Sequence, residues 1–166
     1  MTQPQGVNWS RVLVYGLLPA LALLLAIAAG LLKWKDASAR NTDLARSESV
    51  AAAKDSTVAL LSFRFDTVER DVAAARQRLT GKFRDIYTQR TQEELIPNAK
   101  EQHVAATAIV PGAASESATH NHAVVLVFVN QTIRIGDSAP AEAVSSVRVT
   151  LDKIGERWLV SDFDQF

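Results

Sequence analysis

The sequence predicts an α+β domain held behind one membrane-spanning helix. Three observations predict it. A run of 21 residues near the N-terminus carries no charge. Up to about residue 101 apolar residues recur at helical spacing, and from residue 102 the period falls to that of a strand. Helices followed by strands favour helices packed on one face of an antiparallel meander.

The apolar run is Val12 to Leu32, VLVYGLLPALALLLAIAAGLL. At about 1.5 Å per residue it makes about 30 Å of helix, enough to cross a bilayer core. Arg11 bounds it on one side, Lys33 and Lys35 on the other, and Trp9 and Trp34 sit where indole rings favour headgroups. Pro19 and Gly16 are tolerated in a membrane helix. A cleaved signal peptide is the alternative, because Ala37-Ser38-Ala39 has the form of a cleavage site. The run is longer than a usual signal core, however, and Lys33 to Asp36 intervene. Ala22, Ala26 and Gly30 are spaced by four and form a candidate contact face for another membrane helix. Charge around the span leans toward a cytoplasmic C-terminal domain, without settling the topology.

Residues 33–65 are rich in Ala, Lys, Arg, Asp and Glu and lack Gly and Pro. Leu44, Ala51, Val58 and Phe65 recur every seven residues, with Leu61 on the same side, and predict the buried stripe of a helix. A coiled coil is the weaker reading, since Ser47 and Lys54 fall at its would-be core positions. Asp66-Thr67-Val68-Glu69 has the capping-box pattern, and Val72, Ala75 and Leu79 share the face of the helix it opens. Thr80-Gly81 breaks that helix. Phe83, Ile86 and Tyr87 form a third apolar face. Thr91-Gln92-Glu93-Glu94 reads as a second capping box, ahead of a helix with Pro97 near its first turn.

Val104 to Val110 reads as a strand ended by Pro111-Gly112, with a loop over Ala113 to Thr119. Ala123 to Val129, AVVLVFV, reads as a central strand covered on both faces. Val147, Val149 and Leu151 alternate with polar residues. A hairpin at Ile154 to Glu156 leads into a last strand, with Trp158 and Val160 on one face and Leu159 and Phe163 on the other. The expected organisation is a tail at 1–11, a transmembrane helix at 12–32, a juxtamembrane helical linker at 33–57 and an α+β domain at 58–166.

Composition narrows function. Lysine plus arginine and aspartate plus glutamate number 18 each, so there is no basic excess for nucleic acid. With no cysteine, disulfides, thiolate metal sites and cysteine nucleophiles are excluded. Asp66, Glu69, Asp71 and Asp85 invite an acid–base reading. Beside Arg64, Arg70 and Arg76 they read better as helix caps and solvated ion pairs. His120 and His122 would share one strand face, yet no third ligand is at hand for a metal. No phosphate loop or hydrolase motif occurs. The expectation is therefore no catalytic, cofactor-binding or metal-ligating residues, and a role in binding or assembly.

Leu60-Leu61-Ser62-Phe63, Asp66, Asp71, Leu79-Thr80-Gly81, Phe83 and Tyr87, then Pro97-Asn98-Ala99-Lys100, Val125 to Gln131, and Val149 to Leu151 with Trp158 to Ser161 stand in a characteristic order. In this the chain resembles the membrane proteins associated with actinobacterial mammalian-cell-entry (Mce) lipid transporters. The resemblance implies a cone like that of nuclear transport factor 2, with helices on a curved sheet, lying outside the cytoplasm. It implies a non-catalytic accessory role in stabilising or assembling a fatty-acid or sterol transporter, with membrane and protein-subunit partners and lipid contact. Two other readings go with the same fold: a scaffold subunit of a secretion complex with a single membrane anchor, and a cone that binds a lipid or small molecule. The third needs polar groups inside the cone, whereas Val147, Val149 and Leu151 predict apolar filling. The anchor reading predicts that a reporter active only outside the cytoplasm is active when fused after Phe166. Activity confined to a cytoplasmic reporter, or a mature chain starting near Arg40, would refute it.

Overall fold

Alternating valines set the architecture. In the computed structural model, which describes residues 42–166, Val125, Val127, Val129, Val147, Val149 and Leu151 are wholly shielded from solvent. They belong to β2 (His122–Ile135) and β3 (Ala141–Ile154), flanked by β1 (Val104–Ala118) and β4 (Arg157–Gln165). The four strands form one antiparallel sheet in the order β1-β2-β3-β4, the expected meander. The expected span at 12–32, with Ala22, Ala26 and Gly30, lies outside the described residues. Among the described residues no helix is long and apolar enough to cross a membrane.

Only one face of the sheet carries helices. Along β2, Ala123, Val125, Val127 and Val129 are buried, while Val124 and Leu126 are half-buried and Phe128 is 45% exposed. The continuous apolar run is thus a strand with one covered face, not two. β1 does not stop at Pro111-Gly112. It runs on to Ala118 through register shifts between Ile109 and Gly112 and between Ser115 and Ser117. A bulge takes up the residue that cannot donate to the ladder, so the proline interrupts pairing without ending the strand. A third shift, opposite Thr150 and Leu151, sets Phe163 across from Val149 and Val160 across from Leu151. That one-residue slip turns Phe163 to the helix side, where its ring stacks on Phe83 at 6.2 Å, rather than leaving it with Leu159.

The helix over residues 42–61, α1, lies on the valine face. Its buried positions are Ala45, Ser49, Ala53, Ser56, Thr57 and Leu60. The expected heptad stripe is not the buried face: Leu44 is 59% exposed, and Phe65 lies past the end of the helix. Small side chains let the helix backbone approach the sheet closely, and the larger residues fall outside that contact. Polar bonds hold both ends. Glu48 Oε2 accepts from Lys153 Nζ at 2.9 Å and from Trp158 Nε1 at 3.1 Å. At the other end the Leu61 carbonyl accepts from Gln131 Nε2 at 3.0 Å, Ser62 Oγ accepts from Ala108 N at 2.9 Å, and Phe63 bridges to Ala106.

The second helix, α2 (Val68–Arg76), buries Val68, Val72 and Ala75, and Leu79 just beyond it is also buried. Its start lies where expected, but the capping box does not form. Thr67 makes no side-chain cap bond. Instead Thr67 Oγ1 donates to Asp71 Oδ2 at 2.7 Å and Arg64 N donates to the same oxygen at 3.3 Å, while Asp66 pairs with the exposed Arg64 guanidinium at 2.6 Å. The Leu79-Thr80 break is a docking element. Thr80 N donates to Val160 O and Val160 N to Arg78 O, both at 2.9 Å, before Gly81 turns at φ +56°.

From Gly81 the chain stays helical to Glu101, as α3 (Gly81–Arg90), a π-helical turn (Thr91–Leu95) and α4 (Ile96–Glu101). The second capping box is therefore not a helix start. Thr91 Oγ1 donates backward to Tyr87 O at 2.7 Å and Thr88 O at 3.1 Å. Pro97 has no N–H and crowds the preceding turn, and a widened π turn accommodates both within a continuous helix. Val68, Val72 and Ala99 form a second small core under this segment.

Two expectations follow. Asp71→Ala should destabilise the domain by about 1–2 kcal/mol, since two donors lose a carboxylate. Asp66→Ala should change stability by less than about 0.5 kcal/mol, as for an exposed pair. Urea titrations of the two variants check this, and the reverse order would make Asp66 the cap. The hydrogen bonds from Lys153 and then Trp158 hold the Glu48 carboxyl below its usual range, so its stabilising effect is present above the unfolded value and lost as pH falls through the folded one. The Lys153 ammonium, bonded to Glu48, is raised, and its contribution is lost only as pH rises through that raised value. Melting temperature should thus fall more steeply below pH about 4.3 in the native chain than in Glu48→Gln. Parallel acid profiles would disprove the coupling.

Candidate functional site

The apolar face of α3 has no fully buried residue, although it carries Phe83, Ile86 and Tyr87. These residues wall an open cavity of about 510 Å³ between the α3–α4 segment, the end of α1 and the sheet. Leu60, Leu61 and Phe63 line it from α1 and the residues that follow, Leu95 and Ala99 from the π turn and α4, and Val104 from β1. Arg90, Thr91, Glu94, Asn98 and Gln131 supply its polar lining.

Two of these polar groups are already engaged. The Gln131 amide donates to Leu61 O, and the Thr91 hydroxyl donates into its own helix. Arg90 has no ion-pair partner among the described residues. Burial pushes the Tyr87 phenol up to about 12, so it is neutral at any physiological pH. The lining therefore offers carbon surface with few free polar atoms. It suits an apolar body and supplies no paired acid and base.

The carboxylates singled out in the sequence lie elsewhere and do not converge. Glu69 bonds Lys100 Nζ at 2.7 Å, Asp66 pairs with the exposed Arg64 guanidinium, and Asp71 serves the start of α2. Asp85 lies on the exposed side of α3. His120 stands in the turn before β2, whereas His122 Nδ1 lies 2.7 Å from Asp152 Oδ1 across the β2–β3 pair. Partial burial alone would push Asp152 up, but hydrogen bonds from His122 and Ser161 outweigh it and hold the carboxyl below its usual range. His103, at φ 54°, meets the Phe65 ring edge-on at 4.8 Å. Among the described residues no cluster of three His, Asp or Glu could hold a metal. The cavity was missed in the sequence because Phe83, Ile86 and Tyr87 have the spacing of an ordinary core face. The signal available was the presence of two charged residues four apart, Arg90 and Glu94, just past that face.

Solved structures share this arrangement at low sequence identity. An IcmL-like type IV secretion system protein from Legionella pneumophila superposes with a TM-score of 0.63 at 9% identity, over 73% of this chain and 91% of that one. The periplasmic domain of DotI gives 0.58 at 12% identity, over 70% and 91%. At such identities the likeness establishes the fold alone: helices against an antiparallel sheet. Among relatives by sequence, a Mycobacterium tuberculosis protein named Outer membrane protein Rv1973 is 56% identical over 158 residues, which span 95% of this chain and 99% of that protein. Residues 13–162 match the family described as uncharacterized protein Rv1363c/MT1408-like. With the match running from the apolar N-terminal segment to the last strand, the chain belongs to the Rv1363c/MT1408-like family.

Proposed function

We propose that this protein is a non-catalytic assembly subunit of a membrane complex of the cell envelope, anchored by Val12 to Leu32 with its α+β domain outside the cytoplasm. The observation that carries the reading is the uncovered sheet face. The register aligns Ile109 of β1, Asn130 of β2 and Val144 of β3 across three strands, next to Phe128. Ile109 and Val144 are 58% and 80% exposed. Three exposed apolar side chains, Ile109, Phe128 and Val144, set around Asn130 and bordered by the Arg148–Glu116 pair at 3.2 Å, have the mixed character of a protein contact surface. Type IV secretion proteins with the same fold support a scaffold role, and a relative named as an outer membrane protein supports an envelope location.

The partner complex is the finer part of the proposal. The secretion-protein fold favours a scaffold of a multi-subunit membrane machine. The sequence resemblance to Mce-associated proteins makes a lipid transporter the specific candidate. Purification of the full chain in mild detergent, with identification of co-eluting subunits, separates the two. Ile109→Glu and Val144→Glu leave the core untouched and should cut recovery of those subunits by about tenfold, the effect of losing about 1.4 kcal/mol at a contact. A chain that elutes alone, or recovery unchanged in both variants, would refute assembly through this face.

A further inference from the structure

We propose that the cavity walled by α3 and the π turn binds one acyl chain with a monocarboxylate head, the tail against Phe83, Ile86 and Leu95 and the head at Arg90. This goes beyond the assembly role and stands independently of it. The size favours a single chain. About 510 Å³ holds at most roughly 17 methylene-sized groups, taking about 30 Å³ for each as for a water molecule. That matches the bulk of a single chain and lies within the roughly 300–1,000 Å³ of small-ligand pockets.

The lining chemistry selects the tail. A polar ligand body would have to surrender hydrogen bonds to water and find few in return, because Gln131 and Thr91 are already bonded within the protein and Asn98, Arg90 and Glu94 are the remaining polar side chains of a mostly apolar lining. An aliphatic body loses nothing on entry and covers the α3 face that the fold leaves unburied. Arg90 selects the head. It lines the same cavity without an ion-pair partner among the described residues, and a guanidinium fork matches a carboxylate. Glu94 lines it too, so the lining holds a single cationic side chain, which suits a head of one negative charge better than a multiply charged phosphate monoester. The π turn, which accommodates Pro97, also shapes this wall. Such turns recur at functional sites, and this one contributes Thr91, Glu94 and Leu95 to the lining.

The test uses the full chain in membranes and palmitate carrying a photoreactive diazirine near the end of its tail. Labelling should map to Phe63 and to residues 83–95, and excess unlabelled palmitate should abolish it. Ile86 is 42% exposed, so Ile86→Glu should fold normally yet lower labelling about tenfold by placing a charge against the tail. Arg90→Gln should lower labelling by the acid about threefold to fivefold, as for loss of an exposed ion pair, and leave labelling by the methyl ester unchanged. Several outcomes would overturn the proposal. Labelling confined to residues 12–32, or insensitive to competitor, would leave the cavity empty or covered by the chain's own N-terminal segment or by a partner. Competition by phospholipid vesicles but not by palmitate would assign another source. Equal loss of acid and ester labelling in Arg90→Gln would remove the head contact.

Discussion

The close approach of a small-residue helix face to a valine sheet is the constraint on which the rest of the domain depends. Ala45, Ser49, Ala53, Ser56 and Thr57 lie against strands whose inward positions are almost all valine. Each wholly buried valine contributes about 1.5–3 kcal/mol relative to exposure, and only a helix with short side chains can cover several at once. Glu48 at one end and the Leu61 to Phe63 segment at the other prevent the helix from sliding along that surface. The same placement presents Leu60, Leu61 and Phe63 to the cavity, so the packing that closes the core also builds one of its walls.

The remaining helices meet a different requirement. α2 and the Leu79-Thr80 element close the β4 side, and the Thr80 and Val160 amides pair there instead of meeting solvent. The segment from Gly81 to Glu101 must then cross back to Val104 without a break. Its route passes over the end of α1 and reaches the core only through Phe83 and Tyr87, which are half-buried, while Ile86 is exposed. Phe83 finds partial cover on Phe163, and only because the bulge in β4 has turned that ring inward. An apolar helix face that the fold leaves incompletely covered is the physical origin of the cavity.

Much of the fold was legible because strand alternation is a strong local signal. Val147, Val149 and Leu151, the turn at Gly155, and the Val72, Ala75 and Leu79 face all took the places their spacing implied. What escaped depends on events that leave little local trace. The buried side of α1 is marked by alanine, serine and threonine, which carry weak hydropathy, so the larger Leu44 and Val58 drew the stripe to the wrong side. Bulges at Pro111 and Ser161 shift register by a residue, and only the partner strand shows which residue is unpaired. The helix across Thr91 was hidden because Thr-x-x-Glu reads equally as a cap or as a threonine bonding back to its own helix. The cavity was illegible for a related reason: a face of Phe83, Ile86 and Tyr87 does not reveal whether anything lies opposite.

β1 is an edge strand of 15 residues, long enough to recruit a foreign strand and propagate into an open-ended stack. Its irregularities prevent this. Phe63 occupies the edge at Ala106, Pro111 removes a donor, and two offsets in pairing break the even ladder of amides that an incoming chain would need. Neighbouring copies therefore cannot zip together along β1 by backbone pairing alone. Association on the β1 side is thereby left to side-chain surfaces, which can discriminate between partners where a bare backbone edge cannot.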